Sequence, residues 1–216
     1  MSATATKAEP KAVEILDRIK TVFAAKGFDG ASMQDLARAA GMSAGNFYRY
    51  FSSKDAIIEA IVERELALIE DEFSRIMKSA NPRAALIDSI RIRVESARES
   101  DGPLWAEIEA ASTRRPEIGI LRARMETEIG RYLMVIFARI AGISEADAAE
   151  RFGAHAALLM LIVHGLETRT CGQSQLGTPE ANAALNDLVL HTVDGLLAEV
   201  AAALPVRPRT FFPKED

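Results

Sequence analysis

The segment from Ser32 to Phe51 has room for only two short helices and a sharp turn between them. Ser32 with Asp35 three positions later forms a capping box, and Ser43 has the side-chain chemistry to cap a second short helix. Gly41 lies between the two caps and can adopt the left-handed backbone conformation that a tight turn requires. These signals predict a helix-turn-helix, in which two helices cross at a steep angle.

The side chains of this segment fit such a crossing. Small and apolar residues occur where the two helices must touch: Leu36, Ala37, Ala40, Met42 and Phe47. Because a helix advances about 100° per residue, Phe47 and Phe51 lie on one side of the second helix. Gly45, Tyr48 and Arg49 lie on the opposite side, which is free to enter the major groove of DNA.

Each residue of the outer side has a chemical role that it can play on DNA. Arg49 can reach guanine edges or phosphate, Tyr48 can donate to phosphate, and Gly45 lets the backbone come close. Ser43 and Ala44 stand at the helix N terminus, where unpaired N–H groups favour phosphate or base acceptors. The candidate DNA-binding residues are Ser32, Ser43, Ala44, Gly45, Tyr48, Arg49, Tyr50 and Lys54.

The charge distribution supports this interpretation although the whole chain is acidic, with a net charge of −5. Through Lys54 the chain has 8 Lys and Arg against 5 Asp and Glu, whereas the remainder has 18 against 26. Because salt screens phosphate attraction over about 10 Å, a local basic surface matters more than the total charge. We expect Lys54 itself to pair with a backbone phosphate.

Helical periodicity and capping signals predict an all-α protein of nine helices without strands or internal repeats. The first helix runs from about Val13 to Gly27, and the fourth opens at Ser52 with Asp55 and reaches about Lys78. The later helices are expected to begin at Asn81-Pro82, near Trp105, after Pro116, at Ser144 with Asp147, and at Thr178-Pro179. We divide the chain into a disordered tail (1–11), a helix-turn-helix domain (12–55), a helical ligand-binding and dimerisation domain (56–204) and an irregular tail (205–216).

Several classes of protein are excluded by composition and motif. The longest apolar run, Ala156 to Val163, is far shorter than the roughly 20 residues of a membrane span, and Met1 to Lys11 lacks the apolar core of a secretory signal. We therefore expect a cytoplasmic protein without a membrane partner. There is no glycine-rich phosphate loop, no His-Glu-x-x-His helix and no nucleophile with an adjacent base, so neither an enzyme nor a cofactor is expected.

The run from Leu158 to Val163 is apolar around the whole helix, so it must be covered on more than one side. A second subunit is the simple explanation, and the stripe from Leu185 to Val200 on the last helix would complete a four-helix interface. The alternative is a central helix buried within one chain. A homodimer would place two recognition helices about 34 Å apart, on successive turns of a palindrome.

Candidate residues for a small-molecule pocket are apolar, with one polar group, although each also fits a plain core: Trp105, Met125, Met134, Phe137, Met160 and His164. His164, Glu167 and Cys171 share a helix face and have the donor types for a metal ion, but an interior hydrogen bond of His164 is the simpler reading and no metal site is predicted. The charged residues from Arg122 to Arg131 are interpreted as an ordinary solvated face.

Three runs resemble the TetR family of transcriptional regulators: Met33 to Ser43 (MQDLARAAGMS), Gly45 to Phe51 (GNFYRYF) and Ser53 to Asp55 (SKD). The resemblance covers about Val13 to Ile61, and beyond it the chain is similar only in its nine-helix plan. It implies a three-helix DNA-binding domain, a helical domain that binds a small effector, and a homodimer formed through the last two long helices. Arg49 departs from the family pattern, so the family's base preference is not carried over.

Together these features predict a ligand-responsive repressor that binds double-stranded operator DNA as a homodimer. The alternative is a helical ligand-binding or protein-adaptor dimer without DNA-binding activity. An acidic or blocked outer side of the second short helix would indicate that alternative.

Overall fold

A computed structural model describes residues 10–96, 102–169 and 178–202. These residues form α-helices and no strands, which confirms the all-α, nine-helix prediction. The helices are α1 (Pro10–Gly30), α2 (Met33–Ala39), α3 (Ala44–Tyr50), α4 (Lys54–Lys78), α5 (Pro82–Ser96), α6 (Gly102–Ser112), α7 (Pro116–Ala141), α8 (Glu145–Arg169) and α9 (Pro179–Ala202). Within the described ranges, none of the helices has both the length and the hydropathy needed to cross a membrane.

The capping side chains start the helices where the sequence predicts. At α2 the Ser32 hydroxyl accepts from the Asp35 N–H at 3.1 Å, and the Asp35 carboxylate accepts from the Ser32 N–H at 3.1 Å. At α5 the Asn81 side chain accepts from the Ala84 N–H at 3.1 Å. At α8 the Ser144 hydroxyl accepts from an N–H three residues on, at 3.1 Å. Each bond satisfies an N–H group that the first helical turn leaves without a partner.

Two helix boundaries differ from the prediction. Helix α1 begins at Pro10, inside the predicted tail, and continues past Gly27 to Gly30 with a kink at Gly27, where φ is 71°. Helix α4 is capped by Ser53, whose hydroxyl accepts from the Ala56 N–H at 3.1 Å. The predicted cap Ser52 lies one residue too early for a first turn that begins at Lys54. The predicted tails, apart from Pro10 and Lys11, lie outside the described residues.

Two apolar clusters hold the helices together. The first cluster joins α1, α2, α3 and the start of α4 to buried residues of α6 and α7, among them Ile108 and Ile118. The second cluster unites the end of α4 with α5, α7, α8 and α9 around Phe137 and Phe152, whose rings meet edge to face at 6.2 Å. Because the first cluster includes α6 and α7, the three N-terminal helices pack directly against the rest of the chain.

Candidate nucleic-acid interface and effector cavity

The turn between α2 and α3 is built around Gly41, which has φ of 68°. Its N–H donates to the Arg38 carbonyl at 3.0 Å, and the Met42 N–H donates to the Ala37 carbonyl at 2.9 Å. These bonds close the end of α2 in the manner of a left-handed helix cap. Ala37 is 2% exposed, so α2 and α3 touch at a residue with no side chain beyond Cβ. The left-handed turn predicted at Gly41 is therefore confirmed.

Helix α3 is anchored by its two phenylalanines. Phe47 and Phe51 are 0% and 4% exposed, and their rings lie 5.7 Å apart in the first cluster. Burying each ring stabilises the fold by about 1.5–3 kcal/mol, so this face of α3 is fixed against the first cluster. The orientation of the opposite face is fixed as a consequence.

The outer face of α3 presents aromatic and basic groups to solvent. Tyr48 is 50% exposed, Tyr50 is 37% exposed, and Arg49 is exposed as well. Within the described part of the chain, the Arg49 guanidinium makes no hydrogen bond or ion pair. Helix α3 contains no acidic residue. The geometry confirms the two sides of this helix as the sequence predicts them.

The N terminus of α3 is open to solvent. Ser43 caps the helix by accepting from the Asn46 N–H at 3.4 Å. Ala44 and Gly45 are exposed, and their amides belong to the first turn, which has no partners inside the helix. A Cβ added at Gly45 would meet nothing within 4 Å. Another molecule can therefore approach the backbone here without an obstacle from the protein.

Ser32 lies in the capping box of α2, where its hydroxyl also donates to the Asp35 carboxylate at 2.7 Å. The hydrogen bond from Ser32, together with the Lys26 ammonium 2.9 Å away, holds the pKa of the Asp35 carboxyl well below its ordinary value. Ser32 is exposed, so its hydroxyl can face a phosphate as well as cap the helix.

Lys54 has a different environment from the one that the sequence suggests. Its ammonium donates to the carbonyls of Phe28 at 2.7 Å and Asp29 at 3.3 Å, and it lies 4.9 Å from the centre of the Phe28 ring. These contacts tie the start of α4 to the end of α1. Lys54 thus has a structural role within the domain, and its pairing with phosphate stays a prediction.

The kinked end of α1 also contacts α6 and the α6–α7 turn. The Phe28 N–H donates to the Glu107 carboxylate at 3.0 Å. The Asp29 carboxylate pairs with Arg114 at 3.2 Å and Arg115 at 3.1 Å. Burial raises the pKa of Asp29, but the hydrogen bonds and charges of the two arginines outweigh it and leave that pKa below its ordinary value. Sequence reasoning missed these contacts because no local pattern connects residues so far apart in the chain.

A cavity of about 370 Å³ lies among α4, α5, α6, α7 and α8. Four of the predicted pocket residues line it: Trp105, Met125, Met160 and His164. Phe137 and Met134 do not line the cavity, so the prediction that they are pocket residues is corrected. Helix α7 turns Ile129, Leu133 and Ile136 toward the cavity. Phe137 is buried completely against Phe152, and Met134 packs on the second cluster.

Sequence reasoning missed the charged residues of the cavity wall: Glu65, Glu72, Arg93, Glu109, Arg122 and Glu126. Arg122 and Glu126 belong to the segment interpreted as a solvated face. That interpretation is wrong for Arg122, whose side chain is 25% exposed, whereas Glu126 is 59% exposed although it also lines the cavity. They are in helical phase with Ile129 and Leu133, so the periodicity of α7 contained a signal for them. On the same wall the Tyr132 ring stacks on Phe73 at 4.5 Å. Burial, and then the charge of Glu70, raises the pKa of Tyr132.

The predicted donor set of His164, Glu167 and Cys171 cannot be described as a group, because Cys171 and the side chain of Glu167 lie outside the described residues. In the ranges that are described, no three His, Cys, Asp or Glu residues are placed to hold a metal ion. On the neighbouring part of α8, His155 pairs with Glu199 of α9 at 3.3 Å.

Large apolar side chains of α8 and α9 lie on the surface of the single chain. Leu158, Leu161 and Leu188 are 46%, 68% and 64% exposed. The apolar run from Leu158 to Val163 is therefore covered on only part of its circumference, which argues against a central helix buried within one chain.

The fold and the interface define a class: a helix-turn-helix protein with a larger helical domain that encloses a cavity. Residues 15–61 match the family model of bacterial regulatory proteins of the tetR family. The HTH-type transcriptional regulator UidR of Escherichia coli K12 is 28% identical over 118 residues, which are 54% of this chain and 59% of UidR. The match thus spans about three fifths of that curated relative. Residues 15–61 are thus similar to the N-terminal domain by which bacterial regulatory proteins of the tetR family are recognised.

Solved structures share the fold over most of the chain. Salmonella enterica GusR superposes with a TM-score of 0.67 at 24% identity, covering 89% of this chain and 98% of GusR. AibR, solved in complex with isovaleryl coenzyme A and operator DNA, superposes with a TM-score of 0.61 at 18% identity, covering 84% of this chain and 97% of AibR. At these identities the likeness concerns the fold.

Proposed function

We propose that this protein is a ligand-responsive transcriptional repressor, which binds a palindromic operator as a homodimer in the cytoplasm. The observation that carries the proposal is the outer face of α3, where exposed Tyr48 and Arg49 lie opposite the buried Phe47. The AibR structure, which contains operator DNA, supports a DNA-binding role for a chain of this fold. The adaptor alternative called for an acidic or blocked face, and α3 has no acidic residue.

On DNA, α3 lies in the major groove with its N terminus toward the bases. The Arg49 guanidinium donates to guanine edges or to phosphate, while the hydroxyls of Tyr48 and Tyr50 donate to phosphate. The amides at Ala44 and Gly45 face acceptor groups of the nucleic acid. Lys54 orients α4 against α1 and thereby fixes the position of α3.

The dimer forms through α8 and α9, because both helices carry large exposed apolar residues. Leu158, Leu161 and Leu188 together offer a surface that a second copy would cover, and a four-helix interface is the simplest packing of two helix pairs. Two copies related by a twofold axis place their α3 helices on the two halves of a palindrome.

The switch passes through α6, which contacts both the cavity and the N-terminal domain. Trp105 and Glu109 line the cavity, and Glu107 between them accepts from the Phe28 N–H at the kink of α1. A ligand that displaces α6 therefore moves the end of α1, and with it the spacing of the two α3 helices.

The DNA-binding proposal is tested with operator duplexes selected from a random pool by the wild-type protein. We expect Arg49→Ala to weaken binding to the selected duplex by about 1–3 kcal/mol in a gel-shift titration, because a bidentate base contact is lost. Arg91→Ala removes an exposed arginine from α5 and is the control. If both variants bind like the wild type, the assignment of α3 is incorrect.

The dimer is tested by sedimentation of Leu161→Glu and of the control Leu68→Glu, which alters a residue of α4 that is 53% exposed. We expect the first variant to be a monomer and the second to remain a dimer, because only Leu161 lies on the proposed interface. A wild-type protein that sediments as a monomer at micromolar concentration would refute the interface.

The switch is tested by adding fractionated metabolite extracts to the protein–operator complex. A fraction that releases the wild-type protein should release Glu107→Gln less effectively, since the amide is a weaker acceptor for the Phe28 N–H. Release of both proteins at the same ligand concentration would remove Glu107 from the mechanism.

A further inference from the structure

The cavity is lined by more acidic than basic residues. Four glutamates and two arginines line it, so these six side chains carry a formal net charge of −2. The rest of the wall is mostly apolar and aromatic, including Phe73 and Trp105. A molecule that fills the cavity must therefore match an apolar wall with an excess of carboxylates.

Both guanidinium groups are already held by carboxylates. Arg93 lies 3.1 Å from Glu72 and 3.8 Å from Glu65. Arg122 lies 3.3 Å from Glu126 and also pairs with Glu109. An anion that approached either arginine would lie against the glutamates paired with it and be repelled by them. A cation would meet carboxylate oxygens that can each accept further hydrogen bonds.

The charged residues form two groups on the cavity wall, one around Arg93 on α4 and α5 and one around Arg122 on α6 and α7. Helices α4 and α7 run in the same direction, because Leu66 and Met125 both pack on the first cluster while Phe73 stacks on Tyr132 further along. Glu65 and Glu126 thus lie nearer the N-terminal domain, whereas Glu72 lies beside Phe73, which packs on the second cluster. The opposite end is formed by apolar residues of the second cluster: Ile76, Leu86, Leu133 and Ile136.

We infer that the effector is an apolar organic cation, such as a hydrophobic primary amine or quaternary ammonium compound. Its charged group lies against carboxylates of this wall, where the Trp105 ring adds cation–π attraction, and its apolar body extends toward Ile76 and Ile136. The cavity volume is within the range of about 300–1,000 Å³ that is typical of pockets for small organic ligands. This inference rests on the proposed role of the cavity as the effector site.

The first test compares three probes of the same shape on the full chain: phenylbutylammonium, phenylbutanol and phenylbutyrate. Trp105 is the one tryptophan of the sequence and lines the cavity, so its emission reports binding, and calorimetry gives the affinities. We expect the ammonium compound to bind at least about tenfold more tightly than the carboxylate, with the alcohol between them. High salt should reduce the difference.

The second test removes carboxylates in the double variant Glu72→Gln and Glu109→Gln. The control is Glu63→Gln, which alters an exposed residue of α4 that does not line the cavity. We expect the double variant to lose most of the preference for the ammonium probe and the control to keep it. Because the wild-type comparison stands by itself, a folding defect in the double variant leaves the inference testable.

The outcomes separate this inference from the proposed function. Equal binding of the three probes, or a preference for phenylbutyrate, overturns the cationic class and leaves the cavity as an effector site. Failure of all three to bind overturns both the cationic class and the cavity's role. Operator binding by the same wild-type preparation is measured independently, so a failure of the DNA-binding proposal is recognised separately.

Discussion

Replacing Gly45 with alanine should stabilise the free protein and weaken its binding to DNA. Gly45 is the second residue of α3 and is exposed, and a Cβ at this position meets nothing within 4 Å. No contact in the protein explains a glycine here. The proposed function does, because the α3 backbone approaches DNA on this side.

The substitution is expected to change stability and DNA affinity in opposite directions. Alanine in place of glycine stabilises a helix interior by about 0.5–1 kcal/mol, and the lower value applies near a helix end. For a chain of this size, about 0.5 kcal/mol raises the melting temperature by roughly 1–2 °C. A methyl group inserted into a closely packed surface costs about 1–3 kcal/mol, which weakens DNA binding by roughly 5-fold to 150-fold.

The assays are thermal unfolding and a gel-shift titration on the selected operator, at fixed protein and salt concentrations. Gly130→Ala is the matched control, because it lies within α7 and an added Cβ there also meets nothing within 4 Å. It should raise the melting temperature by roughly 2–4 °C and leave operator binding unchanged. If Gly45→Ala binds the operator as tightly as Gly130→Ala does, the close approach of the α3 backbone to DNA is refuted.

Three further substitutions test the helix-turn-helix domain. Lys54→Met keeps an apolar stem on the Phe28 ring but removes the ammonium, so we expect the free energy of unfolding in urea to fall by about 1 kcal/mol; a change confined to the salt dependence of DNA binding would restore the phosphate role. Asp35→Asn should destabilise the protein near neutral pH. Since the folded-state pKa of Asp35 is depressed, its contribution is present above the ordinary value of 3.8 and is lost as the pH falls below it, so the melting temperatures of wild type and variant should converge in acid; a constant difference would contradict this. Ala37→Val should cost about 1–3 kcal/mol, measured by urea unfolding, because residue 37 is buried where α2 and α3 cross, and an unchanged midpoint would show that the crossing has spare room.

Helix starts could be predicted from the sequence because each depends on groups within three residues of one another. Ser32 with Asp35 and Ser144 with Asp147 make in the structure the bonds that their spacing predicts. The turn at Gly41 is equally local, because a glycine meets its backbone requirement without help from distant residues. The two sides of α3 follow from helical periodicity, which determines side-chain direction once the buried side is known.

Features that depend on distant parts of the chain were outside the reach of such patterns. A lysine at the start of α4 has the same local sequence whether it faces phosphate or the carbonyls of Phe28 and Asp29. The kink at Gly27 differs from a helix end only because the chain resumes its helix, with the Phe28 N–H bonded to Glu107. Such alternatives are decided by tertiary contacts and not by intrinsic propensity.

The cavity shows how the same limit applies to a binding site. Periodicity predicts an apolar stripe on α7, and the structure has one. Because α7 packs against several other helices, the stripe does not indicate which of these contacts is replaced by the cavity. Met134 and Phe137 face the filled core, whereas Arg122 and Glu126 continue the stripe that faces the cavity. The alternation of Glu and Arg on this part of α7 predicts a solvated face, which the structure bears out for Glu126 but not for Arg122. Here Arg122 pairs with Glu109 of α6 and with Glu126 of α7, and these pairs form a charged part of the cavity wall.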